Sequence, residues 1–284
     1  MNIFLTGSTG FVGSYILANL IQSGHKLTIY KRPSSDLRRI KQYIKEIKIV
    51  DKLEELSEEN NIDCIIHAAT TYETGNYAGS NLLSSNINLP VYLLDFAINT
   101  NCLKFINIST FIAKYASVPP NRYALTKRNF EQWGVFYSNF YSLNFVNVTL
   151  HQAYGVDDNP NKFIPWLVNE IKNNAEKIDL TKGEQERDFI NVVDVASAVA
   201  KIVTENGAYY EEYEVGTGNI TNLKEFAKLV KKLANSSTKL NFGIKEYRDF
   251  EIMKLNTDST KLKKLGWSPS LSLEEGISQM LDNF

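Results

Sequence analysis

Three glycines, each three residues from the next, constrain this chain more than any other feature in it. Gly7, Gly10 and Gly13 lie in Thr6-Gly7-Ser8-Thr9-Gly10-Phe11-Val12-Gly13. The apolar run from Asn2 to Leu5 precedes them, and the helical pattern Tyr15-Ile16-Leu17 with Leu20-Ile21 follows. A strand turning sharply into a helix has a physical use for each. The first permits the tight turn, the second lets the backbone approach an anion closely, and the third lets helix and strand pack. The anion then sits at a helix N-terminus, where free N–H groups and the helix dipole favour negative charge. Gly7, Thr9, Gly10, Phe11, Val12 and Gly13 are therefore candidate contacts for a dinucleotide pyrophosphate. The competing reading is an ordinary strand-to-helix turn.

The chain continues in alternating strands and helices. Strands are expected at Lys26–Tyr30, Ile47–Val50, Ile62–Ala69 and Lys104–Ser109. The fourth is nearly all apolar, as a parallel strand covered on both faces should be. A helix is expected from Ser80 to Asn101, with Leu82, Leu83, Leu89, Leu93, Leu94 and Phe96 as its apolar stripe. This alternation predicts an α/β fold of the Rossmann type, a doubly wound parallel sheet. In such sheets ligands bind at the C-terminal edge, where the fifth strand delivers Thr110. His67 reads as a structural histidine.

The end of the second strand bears on which dinucleotide fits. A site for NAD usually places an acid there for the ribose 2′-hydroxyl, whereas an arginine suits a 2′-phosphate. Tyr30 is followed by Lys31-Arg32, no acid appears before Asp36, and Arg38 and Arg39 complete a cationic cluster. The expectation is NADPH (NADP+) rather than NADH, with Arg32 as the lead contact; a solvated helix start is the alternative. Asp51 ends the third strand, where a carboxylate could meet an adenine amino group. Ala68 and Ala69 are small enough for a cofactor to lie across the strand end, and Thr71 just beyond is a candidate substrate contact.

Tyr123-Ala-Leu-Thr-Lys127 carries the candidate chemistry. A tyrosine and a lysine four apart share one helix face. A nearby ammonium favours the phenolate, so Lys127 is expected to lower the Tyr123 pKa from about 10. Tyr123 could then exchange a proton with a substrate oxygen, and the Thr110 hydroxyl could bond the same oxygen. By itself the spacing also fits a solvated helix face.

Composition narrows the surroundings. A chain of 284 residues with 43% hydrophobic content can bury a substantial core, and a net charge of −1 gives no basic field for nucleic acid. Cys64 and Cys102 sit in or beside apolar runs and suggest no disulfide framework. No window approaches the ~20 apolar residues of a membrane span, and no leader pattern opens the chain. A cytoplasmic protein without a metal-ligand cluster is expected.

Together, the glycine turn, the His67-Ala68-Ala69 strand end, Ser109-Thr110 and Tyr123-x-x-x-Lys127 resemble the extended short-chain dehydrogenase/reductase family. The likeness continues through Ala153-Tyr154-Gly155, Gly183-Glu-Gln-Glu-Arg187-Asp188-Phe189 with Val193-Asp194-Val195, Tyr213-Glu-Val-Gly216-Thr-Gly218, and Leu265-Gly266-Trp267-Ser-Pro269. It covers about residues 2 to 280 and points to the nucleotide-sugar branch, within it to 4-keto sugar reductases of surface-polysaccharide pathways. The resemblance implies Tyr123 as catalytic acid, Lys127 as the group that tunes it and holds the nicotinamide ribose, and Thr110 as partner of the reacting oxygen. It implies that Asn86 lies near the cofactor, that Arg187 and Arg248 hold the substrate diphosphate, and that helices near Leu82–Asn99 and Tyr123–Ser138 pair in a homodimer. Two local departures stand out: Ala113-Lys114 where Val-Tyr is usual, and His151-Gln152 in place of an arginine.

Phe111-Ile112 after Thr110 lacks the Asp-Glu pair of 4,6-dehydratases and the cysteine of epimerase-reductases. The expected activity is thus NADPH-dependent reduction of a C4 ketone on a nucleotide-linked 4-keto-6-deoxy, or 3,6-dideoxy, hexose. An NAD-dependent 4-epimerase is the alternative, and a non-catalytic NADP-binding regulator is a further one. The polar loop after Gly155 marks an expected boundary between a cofactor domain, 1–155, and a smaller α/β sugar-nucleotide domain, 156–284, with the chain returning to the sheet near 189–203. Asn161 and Lys162 border that loop and could touch a sugar or phosphate. Arg187 and Arg248 suit phosphate through the bidentate guanidinium fork; structural salt bridges, for Arg248 with Asp249, are the alternative.

Overall fold

A computed structural model describes residues 1–58, 61–72, 78–207 and 209–283. The glycine turn joins β1 (Asn2–Thr6) to α1 (Phe11–Gln22), and β2 (Lys26–Tyr30), β3 (Lys48–Val50) and β4 (Cys64–His67) follow. Then come α2 (Ala78–Leu83), α3 (Leu89–Asn99), β5 (Lys104–Thr110), α4 (Phe111–Tyr115), α5 (Arg122–Tyr141), β6 (Phe145–Leu150) and β7 (Gln152–Tyr154). The remainder is α6 (Phe163–Lys172), β8 (Lys177–Leu180), β9 (Glu186–Asn191), α7 (Val192–Thr204), β10 (Tyr210–Val215), β11 (Ile220–Asn222), α8 (Leu223–Leu233), β12 (Lys239–Phe242), α9 (Thr260–Lys264) and α10 (Leu273–Asn283).

Seven strands form one sheet in the order β10-β6-β5-β4-β1-β2-β3. Pairing is parallel from β6 through β5, β4, β1 and β2 to β3. This is the expected doubly wound α/β sheet, with its order reversing beside β1, where ligands bind in such folds. Every residue of β5 and β6 is buried, as strands covered on both faces should be.

The chain divides into two compact units. The first holds Met1–Lys114, Pro119–Leu150 and Ala196–Tyr213; the second holds Tyr115–Val118, His151–Val195 and Glu214–Phe284. Within the first, Phe105, Phe130, Phe145, Leu93 and Leu94 pack into one core. Helix α5 comes close to the sheet only because position 134 is glycine: a Cβ there would meet the Phe145 ring at 2.1 Å. Within the second, β11-β9-β7 and β12-β8 form small sheets, and Phe189 stacks on Phe226 with centroids 4.2 Å apart.

The helix expected from Ser80 to Asn101 runs from Ala78 to Asn99 and contains a π-helical turn. A π-helical segment, Ser84–Asn88, separates α2 from α3. Pro90 in the first turn of α3 lacks the N–H a continuing helix would use, and Leu83 is 52% exposed rather than part of the apolar stripe. No described helix is long and apolar enough to cross a membrane.

Candidate active site

Two elements bring the candidate catalytic groups together. Strand β5 ends at Thr110, which is buried. Helix α5 begins at Asn121, whose side-chain oxygen accepts from the Ala124 N–H at 2.8 Å, so Tyr123 falls in the first turn and Lys127 one turn later. The Tyr123 hydroxyl lies beside the hydroxyls of Thr110 and Tyr72, and the rings of Tyr72 and Tyr123 lie 4.6 Å apart. Nothing in the periodicity of the sequence marks Tyr72, which is in a loop past β4.

The electrostatics differ from the expectation that Lys127 lowers the Tyr123 pKa. Burial pushes the Tyr123 phenol well above its ordinary value, Tyr72 adds to that, and only the Thr110 hydroxyl opposes it. Lys127 is itself buried, which pulls its pKa down to about 8, and its Nζ donates to the Ile108 carbonyl at 2.9 Å. Burial is the largest cause of the Tyr123 shift, and at neutral pH the phenol keeps its proton.

Asn86 lies in the π-helical segment and is fully buried. Its Oδ1 accepts from the Thr71 N–H at 2.9 Å and the Thr70 hydroxyl at 3.3 Å. Its Nδ2 donates to the Thr71 carbonyl and to Thr126 Oγ1, both at 3.0 Å. Thr126 in turn donates to the Tyr123 carbonyl at 2.8 Å. Asn86 therefore braces the first turn of α5 against the loop after β4. Thr71 is part of the same brace, its hydroxyl donating to Ser85 at 3.0 Å.

The glycine turn fits a dinucleotide. A Cβ on Gly7 would lie 2.4 Å from the Ala69 nitrogen, and φ there is +76°, so glycine is required where the turn meets the end of β4. A Cβ on Gly13 would lie 2.1 Å from the Gly7 carbonyl oxygen. Gly10 differs: its Cβ would meet only that oxygen, at 3.2 Å, leaving its other side open. No side chain caps the N-terminus of α1, so the first-turn N–H groups past Gly10, of Phe11, Val12 and Gly13, suit a pyrophosphate. Thr9 accepts a long hydrogen bond, 3.4 Å, from Arg39 through its carbonyl. Arg32 is exposed in a turn closed by Ser35, and Asp51 is exposed after β3. Of the four cations after β2, Arg39 is the one whose side chain reaches the glycine turn.

The second unit holds the other candidates. Arg187, in β9, is buried. One Nη donates to Glu251 and the other to the carbonyls of Glu186 and Ile252, the latter at 2.7 Å. Arg248 is exposed in the loop before Glu251. Asn161 is exposed, and Lys162 pairs with Asp158 at 2.9 Å. Where the family pattern is broken, His151 Nε2 lies 2.8 Å from Glu214, which also accepts from the Tyr115 hydroxyl at 2.8 Å. Among the described residues no cluster of His, Cys, Asp and Glu could hold a metal ion.

Residues 3–216 match the profile of the NAD dependent epimerase/dehydratase family. The chain belongs to that family. Within it, the chain is similar to CDP-abequose synthase of Salmonella muenchen, 36% identical over 98% of this chain and 96% of the relative. The CDP-abequose synthase of Salmonella typhimurium is 34% identical over 98% and 97%. Among solved structures, a UDP-glucose 4-epimerase of Thermotoga maritima superposes with a TM-score of 0.85 at 24% identity, covering 100% of this chain and 98% of that one. UDP-glucuronic acid 4-epimerase of Bacillus cereus does so at 0.86 and 20%, with the same coverage. At those identities the two structures establish the fold of this family member.

Proposed function

We propose that this family member is an NADPH-dependent reductase of the C4 ketone of a nucleotide-linked 4-keto-6-deoxy hexose, or its 3,6-dideoxy form, in deoxysugar synthesis for surface polysaccharide such as O-antigen. The observation that carries the reading is the placement of Tyr123, in the first turn of α5, beside Thr110 at the end of β5. A reduced nicotinamide, when bound, supplies hydride. The chain supplies the proton: Tyr123 donates it to the C4 oxygen as negative charge develops there, and Thr110 hydrogen-bonds that oxygen. A phenol already neutral suits this direction of reaction. Phe111, buried beside Thr110, provides neither acid nor thiol for dehydration or epimerisation.

Residues 1–155 hold the cofactor in this reading. The glycine turn takes the pyrophosphate, Lys127 the nicotinamide ribose, Arg39 and Arg32 the 2′-phosphate, and Asp51 the adenine, while Ala68 and Ala69 leave it room and Asn86 positions Tyr123. Residues 156–284 hold the sugar nucleotide, with Arg187 and Arg248 on its diphosphate and Asn161, like Thr71, on the sugar. Similarity to the two CDP-abequose synthases supports this substrate class. The test is oxidation of NADPH against a panel of 4-keto sugar nucleotides, with the product identified by NMR. No oxidation with any of them overturns the reading.

A 4-epimerase uses the same tyrosine and lysine. It must first take a proton from a sugar hydroxyl, which requires a phenolate, and the electrostatics of Tyr123 oppose that. Bound NAD in the purified protein and hexose interconversion without net NADPH use would establish the epimerase instead.

The protein also acts as a homodimer in this proposal. Trp133, Phe136 and Phe140 lie on one exposed face of α5, with Phe136 and Phe140 stacked at 4.5 Å, and Tyr92 is exposed on α3, against which α5 packs. A second copy covers these rings. Phe136→Glu with Phe140→Glu is expected to give monomers in sedimentation equilibrium, and a wild-type monomer overturns the pairing. Two buried free thiols, Cys64 and Cys102, fit a reducing cytoplasm.

A further inference from the structure

Among the described residues, seven other than glycine adopt positive φ: Asn101, Ser142, Asp157, Asn174, Tyr209, Asn235 and Phe250. Five are small polar residues, which tolerate the left-handed region best. Tyr209 is anchored by strand pairing, its carbonyl accepting from the Phe145 N–H at 3.1 Å. Phe250 is the unusual one. It occupies the third position of a turn closed by the Glu251 N–H donating to the Arg248 carbonyl at 3.2 Å, with φ +57°. Glycine is the residue such a position favours. A phenylalanine there is strained, and its ring is 64% exposed, so no burial repays the strain.

The turn is held firmly on its far side. Glu251 accepts from the Arg187 guanidinium, the Ile252 carbonyl accepts from the same arginine, and the Met253 carbonyl accepts from the Glu186 N–H at 2.9 Å. Arg248 projects from the first turn position and Phe250 from the third. An exposed cation and an exposed flat ring are thus fixed two residues apart, beside a buried arginine.

We propose that Phe250 is a substrate-binding residue that stacks on the nucleobase of the sugar-nucleotide substrate, while Arg248 faces its diphosphate. The inference rests on the sugar-nucleotide reading of these arginines and adds the group that recognises the base. A nucleoside diphosphate presents a flat aromatic face a short way from two phosphates, the pairing that this ring and this guanidinium complement. Base–aromatic stacking needs no hydrogen-bond readout and tolerates any base. Strain and exposure concentrated on one residue are costs recovered when a ligand covers the ring.

The test uses the full chain without NADPH, with CDP, UDP and ADP as base-bearing probes and inorganic pyrophosphate as the base-free one, measured by calorimetry. Phe250→Gly is expected to weaken the nucleoside diphosphates about tenfold, to leave pyrophosphate within twofold, and to raise Tm by about 2 °C as strain is lost. Phe250→Trp should retain nucleoside diphosphate affinity. Unchanged nucleoside diphosphate affinity in Phe250→Gly overturns the stacking role, and so does an equal loss for pyrophosphate, which would mean that the loop was disturbed as a whole. A fall in Tm overturns the strain argument. A wild-type protein that binds none of the nucleoside diphosphates overturns the substrate class as well. Intact stacking with no NADPH oxidation would remove the reductase reading alone.

Discussion

The candidate proton donor in the first unit and the candidate anion site in the second solve opposite electrostatic problems. Around Tyr123 the chain withholds charge. Burial raises the Tyr123 phenol further above its ordinary value, and the ammonium of Lys127 is weakened to a pKa of about 8. Around Arg187 the chain keeps a permanent charge and neutralises it internally with Glu251. A group that must give up a proton to a developing oxyanion benefits from being neutral beforehand. An arginine awaiting a diphosphate must be kept from an unpaired, desolvated state, and an internal carboxylate does so. One of these buried groups is thus shifted by desolvation, and the other is held beside a carboxylate partner.

The largest effect should come from the first site. Tyr123→Phe removes the donated proton and is expected to lower kcat for NADPH oxidation by about 10²- to 10⁴-fold with little change in Tm. Full turnover in that variant would end the distinction between the two sites. Next is the pH dependence of Lys127. An unfolded lysine holds its proton to about pH 10.5, whereas the folded one releases it near 8. Between those values the unfolded state binds more protons, so stability rises with pH, by up to about 3 kcal/mol across the window. Lys127→Met should lack this rise in chemical denaturation at pH 8 and pH 10, and parallel curves for the two proteins would show that the ammonium is not desolvated.

Gly134→Ala tests how closely the sheet and α5 must approach for the first site to exist. The added methyl collides with the Phe145 ring and should cost about 1–3 kcal/mol in urea unfolding. Gly79→Ala, with nothing within 4 Å of its Cβ, should be neutral or slightly stabilising. The second site responds more modestly. Glu251→Gln frees the Arg187 guanidinium from its counter-charge and is expected to tighten pyrophosphate binding a few-fold, more at low salt than at high salt. Weaker binding in this variant would mean that the carboxylate positions the arginine rather than competing for it. The smallest effect concerns cofactor choice. Arg39→Ala should weaken NADPH more than NADH, and more than Arg32→Ala does, because of the two only the Arg39 side chain donates to the glycine turn, at the Thr9 carbonyl. Equal losses for both cofactors in Arg39→Ala would remove it from the 2′-phosphate.

Much of this was legible in the residue order. The glycine spacing, the apolar runs and the Tyr123–Lys127 interval are local patterns. Local patterns survive in sequence because turn geometry and helix pitch act over fewer than ten residues. The π-helical turn at Ser84–Asn88 was less legible, since Leu82, Leu83 and Leu89 continue a helical stripe through it. The π turn places Asn86 so that its four hydrogen bonds reach residues 15 to 40 positions away. Arg39 and Arg32 look alike in sequence, and only the fold directs one of them to Thr9.

The sequence by itself determined the doubly wound sheet, the anion-ready turn and the identity of the groups at the end of β5. Tertiary structure alone decided how their proton affinities shift. The direction of the Tyr123 shift is set by how much water the packing of α5 leaves around the phenol. Likewise Arg187 is a cation in any sequence, and only the fold supplied Glu251 as its counter-charge.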